Sequence, residues 1–241
     1  MQKIMFNDKF GLTQAVLEGR KTMTRRMIAA PKNWHGLDVY GFSVNKDNLG
    51  NVMDISLVGA DGGSIEDENG SLGMILPKYN IGEIIAVAQS YKDAGYASDT
   101  IQEGRAVRKS VHSEDWDDSM IGKLGGWYID QLAGWNNKMF TYPEMMPFHI
   151  RITDIKVERL QDISDEDCLK EGIYSDMFDD SGILSQGYVI AKDDGRLHPI
   201  SYYEIFDSPK QAFSVLIDKV SGKGTWDSNP YCFCYSFEIV K

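Results

Sequence analysis

The sequence Phe148-His149-Ile150-Arg151-Ile152-Thr153-Asp154-Ile155-Lys156-Val157-Glu158-Arg159-Leu160 alternates apolar and polar residues along its length. Because successive side chains of a β-strand point to opposite faces, this alternation predicts a long strand with one face in the core. A short helix is predicted directly after it: Ser164 suits the N-cap position, acidic residues fill the first turn, and Gly172 ends the helix after Glu171. The segment therefore predicts a strand followed by a helix.

Strands are also predicted near both ends of the chain, at residues 3–6 and 231–240, and a further helix at residues 208–221. The stripe expected to be buried on that helix consists of Phe213, Leu216, Ile217 and Val220. Strands outnumber helices, and no Gly/Ser-rich or Pro-rich linker divides the sequence. We therefore expect a single α+β domain that spans residues 1–241.

Composition narrows the class of protein. The 241 residues carry a formal net charge of -11, and 42% of them are hydrophobic, which is enough for a packed core. No apolar run approaches the ~20 residues of a membrane span, and the N-terminal apolar run is too short for a signal peptide, so we expect a cytoplasmic protein without membrane contact. Cys232 and Cys234 lie two apart on a predicted strand without a second Cys pair or a His cluster, which favours core thiols and predicts neither metal nor cofactor.

A basic turn stands out against this acidic background. The sequence Gly19-Arg20-Lys21-Thr22-Met23-Thr24-Arg25-Arg26 places four cations and two hydroxyls in eight residues. It follows a predicted helix at residues 7–18, with Phe10, Val16 and Leu17 inward and Gly19 as the stop. The net negative charge of the chain repels nucleic acid, so the basic turn can attract an anion only at short range. It therefore predicts a site for an anion or for a polar ligand with an anionic backbone. The alternative is a solvated charged turn after a helix.

Four blocks of the sequence together resemble the ASCH family, whose members have a PUA-like small β-barrel. The resemblance is strongest to the longer ASCH-like proteins carried by phages and prophages. The blocks are residues 17–26 (LEGRKTMTRR), 79–87 (YNIGEIIAV), 152–173 and 223–230 (KGTWDSNP). Relative to the ASCH core, the chain has three insertions, at about residues 31–78, 93–134 and 175–225.

The resemblance implies a cleft on one side of the barrel, suited to RNA or a nucleoside and bordered by the basic turn and the helix after the long strand. Small bacterial ASCH proteins include amidohydrolases that remove acyl groups from the N4 position of cytidine with a Lys, a Thr and a Glu. Carried over by motif position, these residues are Lys21, Thr24 and Glu171.

This assignment is chemically reasonable. Thr24 offers a hydroxyl nucleophile, and Glu171 would protonate the leaving amine. Lys21 acts as a base only if its pKa is lowered, and the neighbouring Arg20, Arg25 and Arg26 would lower it by like-charge repulsion. The alternative is that Lys21 and Glu171 form an ion pair that merely ties the turn to the helix.

The leading functional prediction is the binding of RNA or a modified nucleoside in a cleft edged by Arg20, Lys21, Thr22, Thr24, Arg25 and Arg26. Trp226 is a candidate for base stacking, with the plugging of the barrel end as the alternative. The acidic run at residues 114–118 would repel a long polynucleotide, so short RNA or a nucleoside is favoured over duplex DNA. Two other functions remain open: a metal-free amidohydrolase for N4-acylated cytidines, and a phage accessory protein that acts through protein contacts. The oligomeric state stays open.

Overall fold

The computed structural model describes residues 1–49, 52–95, 134–180, 183–191 and 204–240. The strands are β1 (Lys3–Ile4), β2 (Met23–Met27), β3 (Asn33–Trp34), β4 (Leu37–Asp38), β5 (Gly41–Lys46), β6 (Val52–Val58), β7 (Ile84–Val87), β8 (His149–Arg159), β9 (Tyr174–Asp180), β10 (Ile183–Val189), β11 (Ile205–Phe206) and β12 (Tyr231–Val240). The α-helices are α1 (Leu12–Leu17), α2 (Asp165–Lys170), α3 (Pro209–Ser221) and α4 (Thr225–Ser228). Short 3-10 turns cover Asp8–Phe10, Lys138–Phe140, Pro143–Met145 and Leu160–Asp162.

A five-stranded mixed sheet in the order β1-β7-β8-β12-β2 carries the fold. β1 pairs with β7 in parallel, and the other three pairings are antiparallel. The predicted long strand is β8, which pairs with β12 from His149 opposite Val240 to Arg159 opposite Tyr231. Strands from both ends of the chain therefore lie in one sheet, in a mixed α+β fold with few and short helices.

The first helical segment is shorter than predicted. A 3-10 turn at Asp8–Phe10 ends at Gly11, and α1 begins only after it. Gly11 has φ of 60°, a left-handed conformation that interrupts a right-handed helix. Phe10 and Val16 are buried as expected, whereas Leu17 is half-buried.

Both later helices begin where predicted, directly after Ser164 and Ser208. α3 also ends at Ser221 as predicted, whereas α2 ends at Lys170, one residue before the predicted Glu171. The Ser164 hydroxyl accepts a hydrogen bond from Asp167 N (3.1 Å), and Ser208 does the same for Gln211 N (3.2 Å). The predicted buried stripe of α3 is too long by one residue. Its first three members are buried, but Val220 is 39% exposed because it lies at the rim of a cavity near the end of the helix.

Two of the three proposed insertions contain described structure. Residues 31–78 contain two antiparallel hairpins, β3 with β4 and β5 with β6. Residues 175–225 contain most of a second sheet, β11-β10-β9, together with α3 and the start of α4. Most of residues 93–134, with the acidic run at 114–118, lies outside the described residues. No helix within the described ranges is long and apolar enough to cross a membrane.

One hydrophobic core joins the sheet to the helices. It includes Ile85 and Ile150 from the sheet, Val16 from α1, Cys168 from α2 and Phe213 from α3. Cys168, Cys232 and Cys234 are all free and buried in it, as predicted for core thiols. The packing brings α1, β2, the end of α2 and α3 around one small cavity.

Candidate functional site

A cavity of about 120 Å³ lies between β2, the end of α2 and α3. Its buried wall combines apolar side chains with four polar ones, Lys21, Thr24, Arg25 and Glu171. Its rim is formed by exposed residues, which are Met5, Arg26, Met27, Val220 and Ser221. The structure therefore brings five of the eight predicted site residues to one cavity.

The turn between α1 and β2 is fixed by backbone hydrogen bonds at both sides. Gly19 adopts φ of 75°, which ends α1, and its N–H donates to Val16 O (2.9 Å). Lys21 N then donates to Ala15 O, and Thr22 N donates to Lys170 O at the end of α2, both at 2.9 Å. These bonds hold the turn against α1 and α2 and place Lys21 beside Glu171.

Lys21 uses all three of its ammonium hydrogens inside the protein. Nζ donates to Glu171 Oε2 (2.6 Å), to Glu171 O (2.7 Å) and to Met23 O (2.8 Å). The side chain is only 2% exposed, and burial lowers the pKa of Lys21. The Glu171 carboxylate opposes this effect, whereas Arg26 and Arg25 add to it by like-charge repulsion. Arg20, expected to contribute, is not among these causes.

Arg25 lies in a buried network of carboxylates. Its guanidinium donates to Glu171 Oε1 (3.2 Å), to Glu158 Oε1, and to Asp167 Oδ2 (3.5 Å). Burial acts to lower the pKa of Arg25, but the nearby carboxylates, Glu171 first, raise it above its ordinary value. Its Nε is buried and has no hydrogen-bond partner among the described residues, which is a rare state for a buried donor.

Thr24 presents a free hydroxyl. Its backbone pairs with Tyr235 in the sheet, and its side chain lines the cavity. Among the described residues, none forms a hydrogen bond with Thr24 Oγ1. The Lys21 ammonium does not reach it either, since all three of its hydrogens go to other acceptors.

Arg26 and Phe6 link the inside of the cavity to its rim. Arg26 Nη2 donates to Met5 O (2.7 Å), and its Cζ lies 6.0 Å from the centre of the Phe6 ring. Lys21 Nζ lies 5.7 Å from the centre of the same ring. Phe6 thus carries two cations on its π-face, a favourable electrostatic arrangement.

Three predicted site residues do not line the cavity. Arg20 forms an ion pair with Glu18 (2.7 Å) and lies over the Tyr174 ring. Thr22 is half-buried, and its N–H is bound to α2. Trp226 packs edge-on against Phe213, with ring centres 6.2 Å apart, so it stands behind a residue of the cavity wall.

Sequence reasoning missed Glu158, Asp167 and Phe6 as parts of the site. Glu158 belongs to β8 and Arg25 to β2, and β12 lies between these strands, with Cys232 opposite Glu158 and Cys234 opposite Arg25. Only the strand order places them side by side. Within the described ranges, no group of three or more His, Cys, Asp or Glu residues is arranged to hold a metal ion.

Comparison with known proteins adds no assignment. No protein-family model, curated protein or solved structure that was compared with the chain matches it. The inference of function therefore depends on the geometry and chemistry of this cavity.

Proposed function

We propose that the cavity binds the base of a pyrimidine nucleoside, free or within RNA, in an ASCH-like protein with a PUA-like barrel. The size of the cavity supports a single six-membered ring. An apolar protein cavity of about 150 Å³ holds one benzene molecule, and this cavity measures about 120 Å³. The sugar would then lie at the rim.

The observation that carries the proposal is the pair of unpartnered polar groups in this wall. The Thr24 side chain lines the cavity, and its hydroxyl forms no hydrogen bond with any described residue. The Arg25 Nε–H is buried without a partner among the described residues, whereas buried polar groups in native proteins nearly always have one. A pyrimidine edge carries carbonyl and ring-nitrogen acceptors that suit these donors. The apolar side chains of Phe6, Leu12 and Leu216 would contact the faces of the ring.

A second candidate function is hydrolysis of an N4-acylated cytidine, and it is favoured by the lowered pKa of Lys21 next to the free hydroxyl of Thr24. Thr24 Oγ1 would attack the acyl carbon while its proton passes to a neutral Lys21. The C–N bond then breaks, the proton taken up by Lys21 passes through the Glu171 carboxylate to the leaving amine, and water releases the acyl group from Thr24 as a carboxylic acid. Lys21 must first give up one of its three hydrogen bonds to face Thr24.

The binding proposal is tested by titration calorimetry with cytidine and N4-acetylcytidine at low salt. Thr24→Val keeps the shape of the side chain and removes the hydroxyl, so affinity should fall about tenfold, close to the value of one hydrogen bond. Thr22→Val is the matched control, because Thr22 lies two residues away and outside the cavity; it should bind like the wild type.

If the wild type binds neither nucleosides nor short RNA even at low salt, the proposal is wrong. A function through protein contacts then becomes the better hypothesis. If Thr24→Val and the wild type bind with equal affinity, the ligand does not bind in this cavity.

A further inference from the structure

A groove of about 400 Å³ opens beside the rim of the cavity; we call it the rim groove. The two share Met5, Arg26 and Met27, so the rim groove adjoins the cavity at these three residues. Tyr79, Tyr235 and Phe233 also line it as buried residues, and the Tyr79 ring packs edge-on against the Tyr235 ring at 5.3 Å.

The rim groove is cationic in a protein of net charge -11. Lys3, Arg26 and Lys78 line it, and among the described residues that line it there is no Asp or Glu. The donors of Lys3 Nζ are taken by the carbonyls of Lys138, Met139 and Thr141. Lys78 is different: it is exposed, lies 5.2 Å from the centre of the Tyr79 ring, and forms no ion pair with any described residue.

We infer that the rim groove binds the phosphodiester backbone next to the inserted base, so that the ligand is a nucleotide within a short single strand rather than a free nucleoside. This inference rests on the proposed function of the cavity. Arg26 and Lys78 supply the phosphate contacts, and an apolar, partly aromatic wall beside a cationic edge is typical of single-strand binding sites. Arg26 and Lys78 both line the rim groove, so a backbone that lies in it would contact both cations.

The number of nucleotides that contact the rim groove is expected to be small. Past Ile75, Leu76 and Phe233 the rim groove meets a larger groove, of about 720 Å³, in which Asp54 and Glu158 bring carboxylates to the wall. Lys156 lies in the same wall and Glu158 is paired with Arg25, so the larger groove lacks the excess of cations that favours a phosphate backbone in the rim groove. The favourable contacts therefore end after one or two nucleotides beyond the inserted base.

The experiment is a length series measured by titration calorimetry: cytidine, then oligocytidylates of two, three and six nucleotides, each as RNA and as DNA. We expect affinity to rise at least tenfold from cytidine to the trinucleotide and then to level off. The DNA series shows whether the 2′-hydroxyl contributes beyond the shared phosphate chemistry.

Lys78→Glu should remove most of the gain from length while it leaves the affinity for cytidine unchanged, because Lys78 does not line the cavity. Lys78→Ala should also reduce the salt slope of trinucleotide binding by about 0.7, the value of one lost phosphate contact on a single strand. Lys219→Glu is the control: Lys219 is exposed on α3, pairs with Glu204 and lines neither the cavity nor the groove.

Different results would contradict base binding in the cavity and backbone binding in the rim groove. If cytidine binds but the trinucleotide binds no tighter, or if Lys78→Glu behaves like Lys219→Glu, the rim groove is not a backbone site and the function proposed for the cavity stands. If neither cytidine nor any oligonucleotide binds, the proposed function of the cavity fails, and the inference fails with it.

Discussion

Lys21 binds the same residue, Glu171, at two different oxygens: its ammonium donates to the side-chain carboxylate at 2.6 Å and to the backbone carbonyl at 2.7 Å. Glu171 follows the last residue of α2, so its carbonyl is one of those that a helix leaves without an internal partner. The Lys21 ammonium therefore caps the C-terminal end of α2 and also neutralises the buried Glu171 carboxylate. The ion pair weighed as an alternative at the sequence level is present, and it lies in the wall of the candidate site.

This double contact predicts a large effect on stability. Lys21→Met leaves the Glu171 carboxylate buried with Arg25 as its remaining cationic partner among the described residues, which should lower the free energy of unfolding by about 3–5 kcal/mol. Glu171→Gln should also destabilise, and the double variant should lose less than the sum of the two single changes. Urea denaturation of the four proteins measures this coupling. Strictly additive losses would mean that the ion pair contributes no stability.

Gly172 is predicted to be irreplaceable for two separable reasons. Its φ is 103°, and an added Cβ would approach Leu12 Cδ2 at 3.2 Å and Lys21 Cδ at 3.5 Å. Gly222 has a similar φ of 111° with nothing within 4 Å of the same position, so it is a matched control. Both Ala variants should lose about 1–3 kcal/mol of stability from backbone strain, but only Gly172→Ala should also weaken nucleoside binding, because it displaces the Leu12 side chain, which lines the cavity. Equal binding by both variants would contradict this.

Arg25 and Arg26 should respond differently to replacement by Ala. Arg25 is buried and paired with the buried Glu171 and the half-buried Glu158, so Arg25→Ala should destabilise the fold by about 3–5 kcal/mol. Arg26 is exposed at the rim, so Arg26→Ala should leave the unfolding midpoint nearly unchanged and reduce the salt slope of RNA binding by about 0.7. Thermal unfolding and titrations at several salt concentrations measure both. An unaltered salt slope would exclude a phosphate contact at Arg26.

The proposed hydrolysis of N4-acylated cytidine requires Lys rather than Arg at position 21. A guanidinium keeps its proton at neutral pH, so Lys21→Arg should abolish the release of acetate from N4-acetylcytidine while the positive charge remains. Thr24→Ala should also remove turnover, whereas Thr24→Ser should keep part of it. Acetate is measured in a coupled assay, and circular dichroism checks that each variant is folded. Turnover by Lys21→Arg at the wild-type rate would remove Lys21 from the mechanism, and no turnover by the wild type would remove this activity.

The three cysteines predict a pH effect on stability. Burial raises the pKa of Cys168 and of Cys232 to about 12, and it raises that of Cys234 as well. An unfolded thiol ionises near pH 8.5, so above that pH the unfolded state loses protons that the folded state keeps. Stability should therefore fall as pH rises from about 9 towards 12. Native protein at pH 8 should also leave all three thiols unreactive to a thiol reagent until urea is added; rapid labelling without urea would contradict their burial.

Local features of the sequence predicted the elements well. Ser164 and Ser208 cap the helices that they were expected to cap, and the alternation in residues 148–160 forms β8. These signals depend on residues a few positions apart, where backbone geometry alone fixes the outcome. The prediction of one continuous helix at residues 7–18 was wrong because Gly11 takes a left-handed conformation, and composition does not show which glycine will do so.

The sequence by itself determined where the main strands and helices begin and end. It also determined that a basic turn follows a helix end. The tertiary structure decided which members of that turn face inward: Lys21, Thr24 and Arg25 line a cavity, whereas Arg20 turns to Glu18 and Tyr174. It also placed Glu158 next to Arg25, because β12, from the far end of the chain, pairs with both β2 and β8. Contacts between residues more than 100 positions apart depend on strand order, and no local pattern encodes that order.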